Sequence, residues 1–297
     1  MDLSVRGQAW RLSLARALDP ANLPPLWMAS LALLVLIPNL AAAWATISNI
    51  VTDGHAYDWV TFTRAAARLS SGSVYDFGGS FGFRWSPVAA WLLVAIIPMG
   101  LTAWRLAHLA ALVLLRDWRL IVIALLSYPF WFDVETGNIN TFVLVAAVSA
   151  IRGSRLGTGI YLALFLLVPR PLAFPVAIWL LWQRPAWRWP FVIAAGAHLL
   201  AVWLTGLSGA WVLSFYHGAS ELSGDLNLGP SRFIGAWWVL IGLPLSAWLT
   251  LRGRLGLASL AASPYWLPYY FLMLLLELVR PGAAGQRRTQ IAATSSP

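Results

Sequence analysis

The residue types that could do chemistry in this chain are few and widely spaced. Acidic side chains number 11 in 297 residues, and Asp53, Asp58 and Asp76 share one polar segment, residues 48–85. A carboxylate beside apolar, membrane-grade sequence has to be solvated or used, so Asp58 is the first functional-site candidate. Its plain alternative is a helix N-cap, and both readings stand. Arg170 lies between Pro169 and Pro171 in the middle of apolar sequence. Prolines there forbid continuous helix, and the freed backbone is tolerated only inside protein or beside a cavity. A guanidinium fixed in such a turn suits a phosphate through bidentate, charge-assisted bonds; a snorkelling arginine is the alternative.

Gly137-Asn138-Ile139-Asn140 follows Asp133 and Glu135. The glycine permits a tight turn, and the two amides of Asn138 and Asn140 can serve sugar hydroxyls or only cap a helix. Tyr265, beside Ser263-Pro264, is an interface anchor or a ligand contact. His55 and His217 fall in loops from which they could approach these groups, whereas His108 and His198 read as packed or hydrogen-bonded. The four histidines do not group at metal-ligand spacing, the chain has no cysteine, and no phosphate-cradling glycine loop or nucleophile elbow is present, so neither a metal nor a cofactor is expected.

The elements that position these groups are membrane helices. Hydrophobic residues make up 60% and charged ones 10%, far from a soluble domain. Runs such as 26–47, 189–206 and 233–251 are long enough to cross hydrocarbon as helices. Shorter apolar pieces are expected at 101–115, 118–132, 139–151, 156–168 and 172–182, with 255–279 broken at Ser263-Pro264. The piece 87–97, closed by Pro98-Met99-Gly100, is too short to cross alone. The fold class is therefore an all-α polytopic membrane protein. Residues 1–25 form a cytoplasmic lead-in, 26–280 one transmembrane domain and 281–297 a flexible tail. The first apolar run is too long for a signal-peptide core and reads as an uncleaved span.

The net charge of +9 comes entirely from arginine. The arginines cluster between apolar runs, which speaks for the positive-inside rule rather than for nucleic acid. Placing Arg116/Arg119, Arg152/Arg155, Arg184/Arg188 and Arg252/Arg254 inside works if 87–97 does not cross. Loops 48–85 and 207–232, the 133–140 turn and the Pro169–Pro171 turn then lie together outside. Within loop 48–85, Trp59, Phe62, Ala66 and Leu69 recur at helical spacing opposite Arg64 and Arg68. The expectation is an amphipathic helix over 58–69 lying along the membrane surface.

Several segments carry a resemblance when taken in order. Asp58-Trp-Val-Thr-Phe-Thr-Arg-Ala-Ala-Ala-Arg-Leu, then Gly72 and Val74-Tyr75, then Phe83-Arg84-Trp85-Ser86-Pro87, are similar to the first-loop signature of the polyprenyl-phosphate-dependent mannosyltransferases of GT-C fold, glycosyltransferase family 87. Gly137–Asn140, Pro169-Arg170-Pro171 and Ser263-Pro264-Tyr265 resemble its later elements. The chain is shorter than typical members, an arginine replaces the family's lysine, and Tyr269-Tyr270 stand where members often carry an aspartate.

The resemblance implies a GT-C-like bundle of about 9–11 membrane helices, several of them short or broken. It implies an inverting hexosyltransferase of a prokaryotic plasma membrane, with its N-terminus cytoplasmic and its site on the outer face. The donor would be a polyprenyl-phosphate sugar, mannose by family habit, and the acceptor a lipid or glycan hydroxyl. Asp58 matches the catalytic carboxylate and Arg170 the phosphate-binding position, with Arg64 or Arg84 assisting. Asn138, Asn140, Tyr75, Tyr265 and His55 would contact sugar or acceptor. A non-catalytic subunit of a larger membrane assembly, or a lipid-linked sugar transporter, are the competing expectations.

Overall fold

A computed structural model describes residues 26–52, 56–76, 82–217 and 227–280. The lead-in 1–25, the tail 281–297 and His55 lie outside the described residues. Among the described residues the chain is helical and contains no strand. It divides into two compact units at Ala42/Ala43. The first contributes the beginning of helix α1 (Leu26–Thr52), where Leu33–Ile37 are exposed. The second holds the rest.

In order, the second unit contains the end of α1, α2 (Tyr57–Ala67), α3 (Pro87–Ile96), α4 (Gly100–Val113), α5 (Trp118–Leu125), α6 (Tyr128–Thr136) and α7 (Asn140–Ile151). It continues through α8 (Arg155–Leu167), α9 (Phe174–Gln183), α10 (Arg188–Leu204), α11 (Ser208–His217), α12 (Ser231–Ile234), α13 (Trp238–Leu251) and α14 (Leu255–Ala262), and ends in a 3₁₀ helix, Pro268–Leu278. Among the described residues, four helical stretches are long and apolar enough to cross a membrane: Leu33–Thr52, Pro87–Val113, Pro185–Leu204 and Ser231–Leu251. Four further apolar helices, Asn140–Ile151, Arg155–Leu167, Pro171–Gln183 and Pro268–Leu278, are shorter, and short members were part of the expected set of 9–11 membrane helices. Residues 118–136 are not one helix but two, parted at 126–127 ahead of Pro129. Pro268 opens 3₁₀ geometry rather than the expected α-helix, and its larger rise per residue stretches eleven residues to about 22 Å.

Short helices α7, α8 and α9 form the centre. Gly157 lets α8 approach α7 closely, since a Cβ there would stand 2.6 Å from the Ser149 Cβ. α7, with 12 residues, is about 18 Å long. One end of this layer is stapled by arginines. Arg152 binds Asp117 at 2.7 Å and the Leu115 carbonyl. Arg184 donates to the carbonyls of Ala150 and Ser154 and to the Thr158 hydroxyl. Those last turns have orphan carbonyls, which guanidinium donors satisfy.

The other end carries the polar turns. The Ser86 N–H donates to the Leu167 carbonyl at 2.9 Å, which fixes the start of α3 there. Trp104 Nε1 donates to the Gly137 carbonyl at 2.9 Å, which fixes the start of α4 at the same end. The apolar run 87–113 is interrupted at Ile97–Met99, with Gly100 at φ 81°.

Helix α2 has the expected amphipathic character with two corrections. Its buried residues are Trp59, Thr61, Phe62 and Ala65, and this face packs on α3 and α6. The apolar stripe is therefore covered by protein rather than laid on lipid. Its N-cap is Ala56, without a side-chain cap bond; Asp58 sits in the first turn, its carboxylate turned elsewhere.

Candidate functional site

Asp58 is brought to the 133–140 turn by α2. Asn138 Nδ2 donates to Asp58 Oδ2 at 2.8 Å. Asn138 is itself fully buried and fixed at its other atoms: Oδ1 accepts from the Ile139 N–H at 2.7 Å. The turn exists because Gly137 adopts φ 74°, ψ 30°, a left-handed helix end. A Cβ at 137 would stand 3.0 Å from Trp59 Cβ, so α2 packs directly on this glycine.

Asp133 is fully buried and does not line the Asp58 cavity. Its Oδ1 accepts from Asn140 N–H and Nδ2 at 3.3 and 3.0 Å, and its Oδ2 from Thr141 N–H and Oγ1 at 2.8 and 2.7 Å. It is the cap of α7, supplied from the preceding helix and stabilised by the positive helix end. Asn140, held this way, presents Oδ1 to Arg170 Nη1 at 3.3 Å.

Arg170 lies in the break between α8 and α9. Its guanidinium carbon is 5.7 Å from the Trp85 ring centroid and 5.9 Å from that of Tyr270. Two aromatic faces thus fix the cation's position. Trp85 is in turn placed by Phe62, whose ring centroid is 4.3 Å away, and by Tyr75, whose hydroxyl donates to the Trp85 carbonyl at 2.7 Å.

Asp58 and Arg170 line one cavity of about 350 Å³, together with Thr61, Phe62, Arg84, Trp85, Tyr265, Tyr269 and Tyr270. Among the described residues no ion pair joins the two. Burial raises the Asp58 carboxyl to about 6. The Arg170 charge and the neighbouring Asn138 and Thr136 side chains pull against that rise, and Asp133 adds to it.

Of the residues expected from sequence, Asp58, Arg170, Arg84 and Tyr265 line the cavity, and Asn138 and Asn140 stand behind it as supports for the first two. Arg64 is exposed on the far face of α2 and is not among the lining residues. Tyr75 reaches Trp85 rather than the cavity, and burial pushes its phenol above the ordinary value. His108, read from the sequence as packed or hydrogen-bonded, is both; the roles of Trp85 and Tyr270 and the capping role of Asp133 were missed by sequence reasoning. Only the last left a signal, an Asn-Thr pair opening an otherwise apolar helix. No protein-family model, curated protein or solved structure matches the chain.

Proposed function

We propose that this chain is a membrane glycosyltransferase that moves a sugar from a polyprenyl monophosphate to a lipid or glycan hydroxyl, with inversion. The observation that carries the reading is the convergence of Asp58 and Arg170 on one open cavity without pairing to each other. A carboxylate and a guanidinium held apart form a field that a sugar phosphate and a hydroxyl can occupy.

In this reading Asp58 accepts the acceptor hydroxyl's proton. The acceptor oxygen bonds to the anomeric carbon, and the bond from that carbon to the phosphate oxygen breaks. The electron pair leaves on the phosphate beside Arg170. A phosphate ester is already a good leaving group, so one base suffices and no second carboxyl need flank the bond. Arg84 on the cavity wall would assist the phosphate, and Tyr265 would meet the sugar.

The sidedness follows from charge. Arg152, Arg184 and Arg254 lie in turns of the kind the positive-inside rule places in the cytoplasm, and α7 puts the first of these about 18 Å from Asn140. With that end at the inner interface of a prokaryotic plasma membrane, the site opens toward the outer face. It then lies below the outer surface of a hydrocarbon layer roughly 30 Å thick. A donor anchored by its own lipid reaches such a depth, and a buried phosphate there needs Arg170.

The test is sugar transfer from labelled polyprenyl-phosphate mannose into total lipid extract by wild type and Asp58→Asn. Transfer by wild type and its loss in the variant supports the reading. Equal transfer removes Asp58 from the mechanism. No transfer from any polyprenyl-phosphate sugar moves the chain to a non-catalytic membrane subunit.

A further inference from the structure

His108, in the third turn of α4, is fully buried and does not line the Asp58 cavity. Its two ring nitrogens face backbone carbonyls: Nδ1 lies 2.8 Å from the Trp104 oxygen and Nε2 lies 2.7 Å from the Asn138 oxygen. Both partners are acceptors only. A neutral imidazole has one donor and one acceptor nitrogen, so it would leave a lone pair pressed against a carbonyl oxygen at one of these contacts. A ring carrying two N–H groups satisfies both. The charge has a partner, since Asp133 Oδ2 is 3.7 Å from Nε2 and Asp133 is also fully buried. Asp133 accepts from four donors, as an ionised carboxylate does. The ring also packs beside aromatic neighbours, with centroids 5.4 Å from Trp104 and 4.6 Å from Phe142.

We propose that His108 is a buried imidazolium that positions Asn138, and through it the Asp58 carboxylate, while screening Asp58 from the charge of Asp133. The chain of contacts is short: His108 Nε2 donates to the Asn138 carbonyl, and Asn138 Nδ2 donates to Asp58 Oδ2 at 2.8 Å. The other charged groups around the ring are engaged separately. Arg105, on the same helix, donates to the carbonyls of Val134 and Glu135. The Glu135 carboxylate accepts from Asn49 at 3.3 Å. Asp133 is the carboxylate beside the ring, at 3.7 Å from Nε2. Without the imidazolium its charge would act on Asp58 unopposed and hold that carboxyl more firmly in its protonated form.

The positioning role rests on Asp58 being the working carboxylate proposed above. The ring's charge does not, and it is read without any substrate, so the two readings fail separately. The experiment is ¹⁵N NMR of the histidine rings in lipid nanodiscs, using the full chain with His55→Gln, His198→Gln and His217→Gln so that His108 is the remaining histidine. Two protonated ring nitrogens at pH 7.5 are expected; one N–H and one bare nitrogen overturns the proposal. In the same protein with ¹³C-aspartate, His108→Gln keeps a donor for Asn138 but removes the charge. The Asp58 titration midpoint is then expected to move up by about one pH unit, and an unmoved midpoint overturns the screening role. Should His108→Gln fail to fold, the ring spectrum of the parent protein decides.

Discussion

The Asn138 amide donates to the Asp58 carboxylate at 2.8 Å across 80 residues of chain, and that one bond ties α2 to the turn that opens α7. Asp58 and Arg170 each have a neutral partner of their own, Asn138 for the first and Asn140 for the second, so the attraction between them does not close the cavity.

Replacing Asp58 by Asn tests the base directly. The amide is isosteric and still accepts from Asn138, so the cavity keeps its shape. Transfer is expected to fall by at least about 100-fold, the scale of a lost general base. Stability should move the other way. A carboxyl raised from 3.8 to about 6 in the folded protein stabilises it below the lower value and loses that contribution as pH rises to the higher one. Asp58→Asn should therefore melt at a higher temperature than wild type at pH 8, with the gap closing toward pH 4. A lower melting temperature at pH 8 would mean that the ionised carboxylate is a structural asset.

The same shift sets a pH profile. Asp58 accepts a proton only when ionised, so transfer should climb about tenfold per unit below pH 6 and level off above it. The Asn138 hydrogen bond favours the ionised form. Asn138→Ala should move the midpoint above 6, so that the variant loses more activity at pH 6 than at pH 8. Initial rates under subsaturating donor across pH 5–9 give both curves, and a midpoint near the ordinary carboxylate range in wild type would remove burial from the account.

How these groups meet was only partly legible in the chain. Asp58 and Arg170 stood out because polar residues in apolar sequence have few places to go, and Pro169 and Pro171 announced a break in helix. The meeting of Arg170 with Trp85 and Tyr270 left no such mark: 19 tryptophans and 8 tyrosines give no spacing that separates a cation's clamp from a lipid anchor. Periodicity likewise found the apolar stripe of α2 but not its partner, since protein and lipid select the same residues. Arg64 illustrates the converse. Its place opposite Trp59 and Phe62 was readable from the helical period and already pointed it away from Asp58.

Arg170→Lys keeps the charge and should still damage the site. An ammonium cannot lie flat against Trp85 and Tyr270 while donating to Asn140, and the lost stacking corresponds to about 10- to 100-fold in donor binding. The expected signature is a raised KM for the polyprenyl-phosphate sugar with a smaller change in kcat. Arg170→Met should lose transfer altogether. A lysine variant with wild-type KM would show that charge alone is sufficient and that the aromatic faces serve only to fill space.

Gly137→Ala separates the turn from the residues it presents. At φ 74° an alanine is strained by about 1 kcal/mol, and its Cβ would press on Trp59 Cβ at 3.0 Å, a backbone-proximal atom with little freedom to yield. Relief requires α2 to lift from α6, which draws Asp58 away from Asn138. The variant should therefore lose both thermal stability and transfer, and it should raise the Asp58 titration midpoint as Asn138→Ala does, because the same hydrogen bond is stretched. Trp59→Phe in the same background does not restore the contact, since the clash is with Cβ; Trp59→Gly removes the clash but also the core ring that packs 5.8 Å from Trp104. Stability lost in Gly137→Ala with activity and titration unchanged would place the turn's strain outside the site.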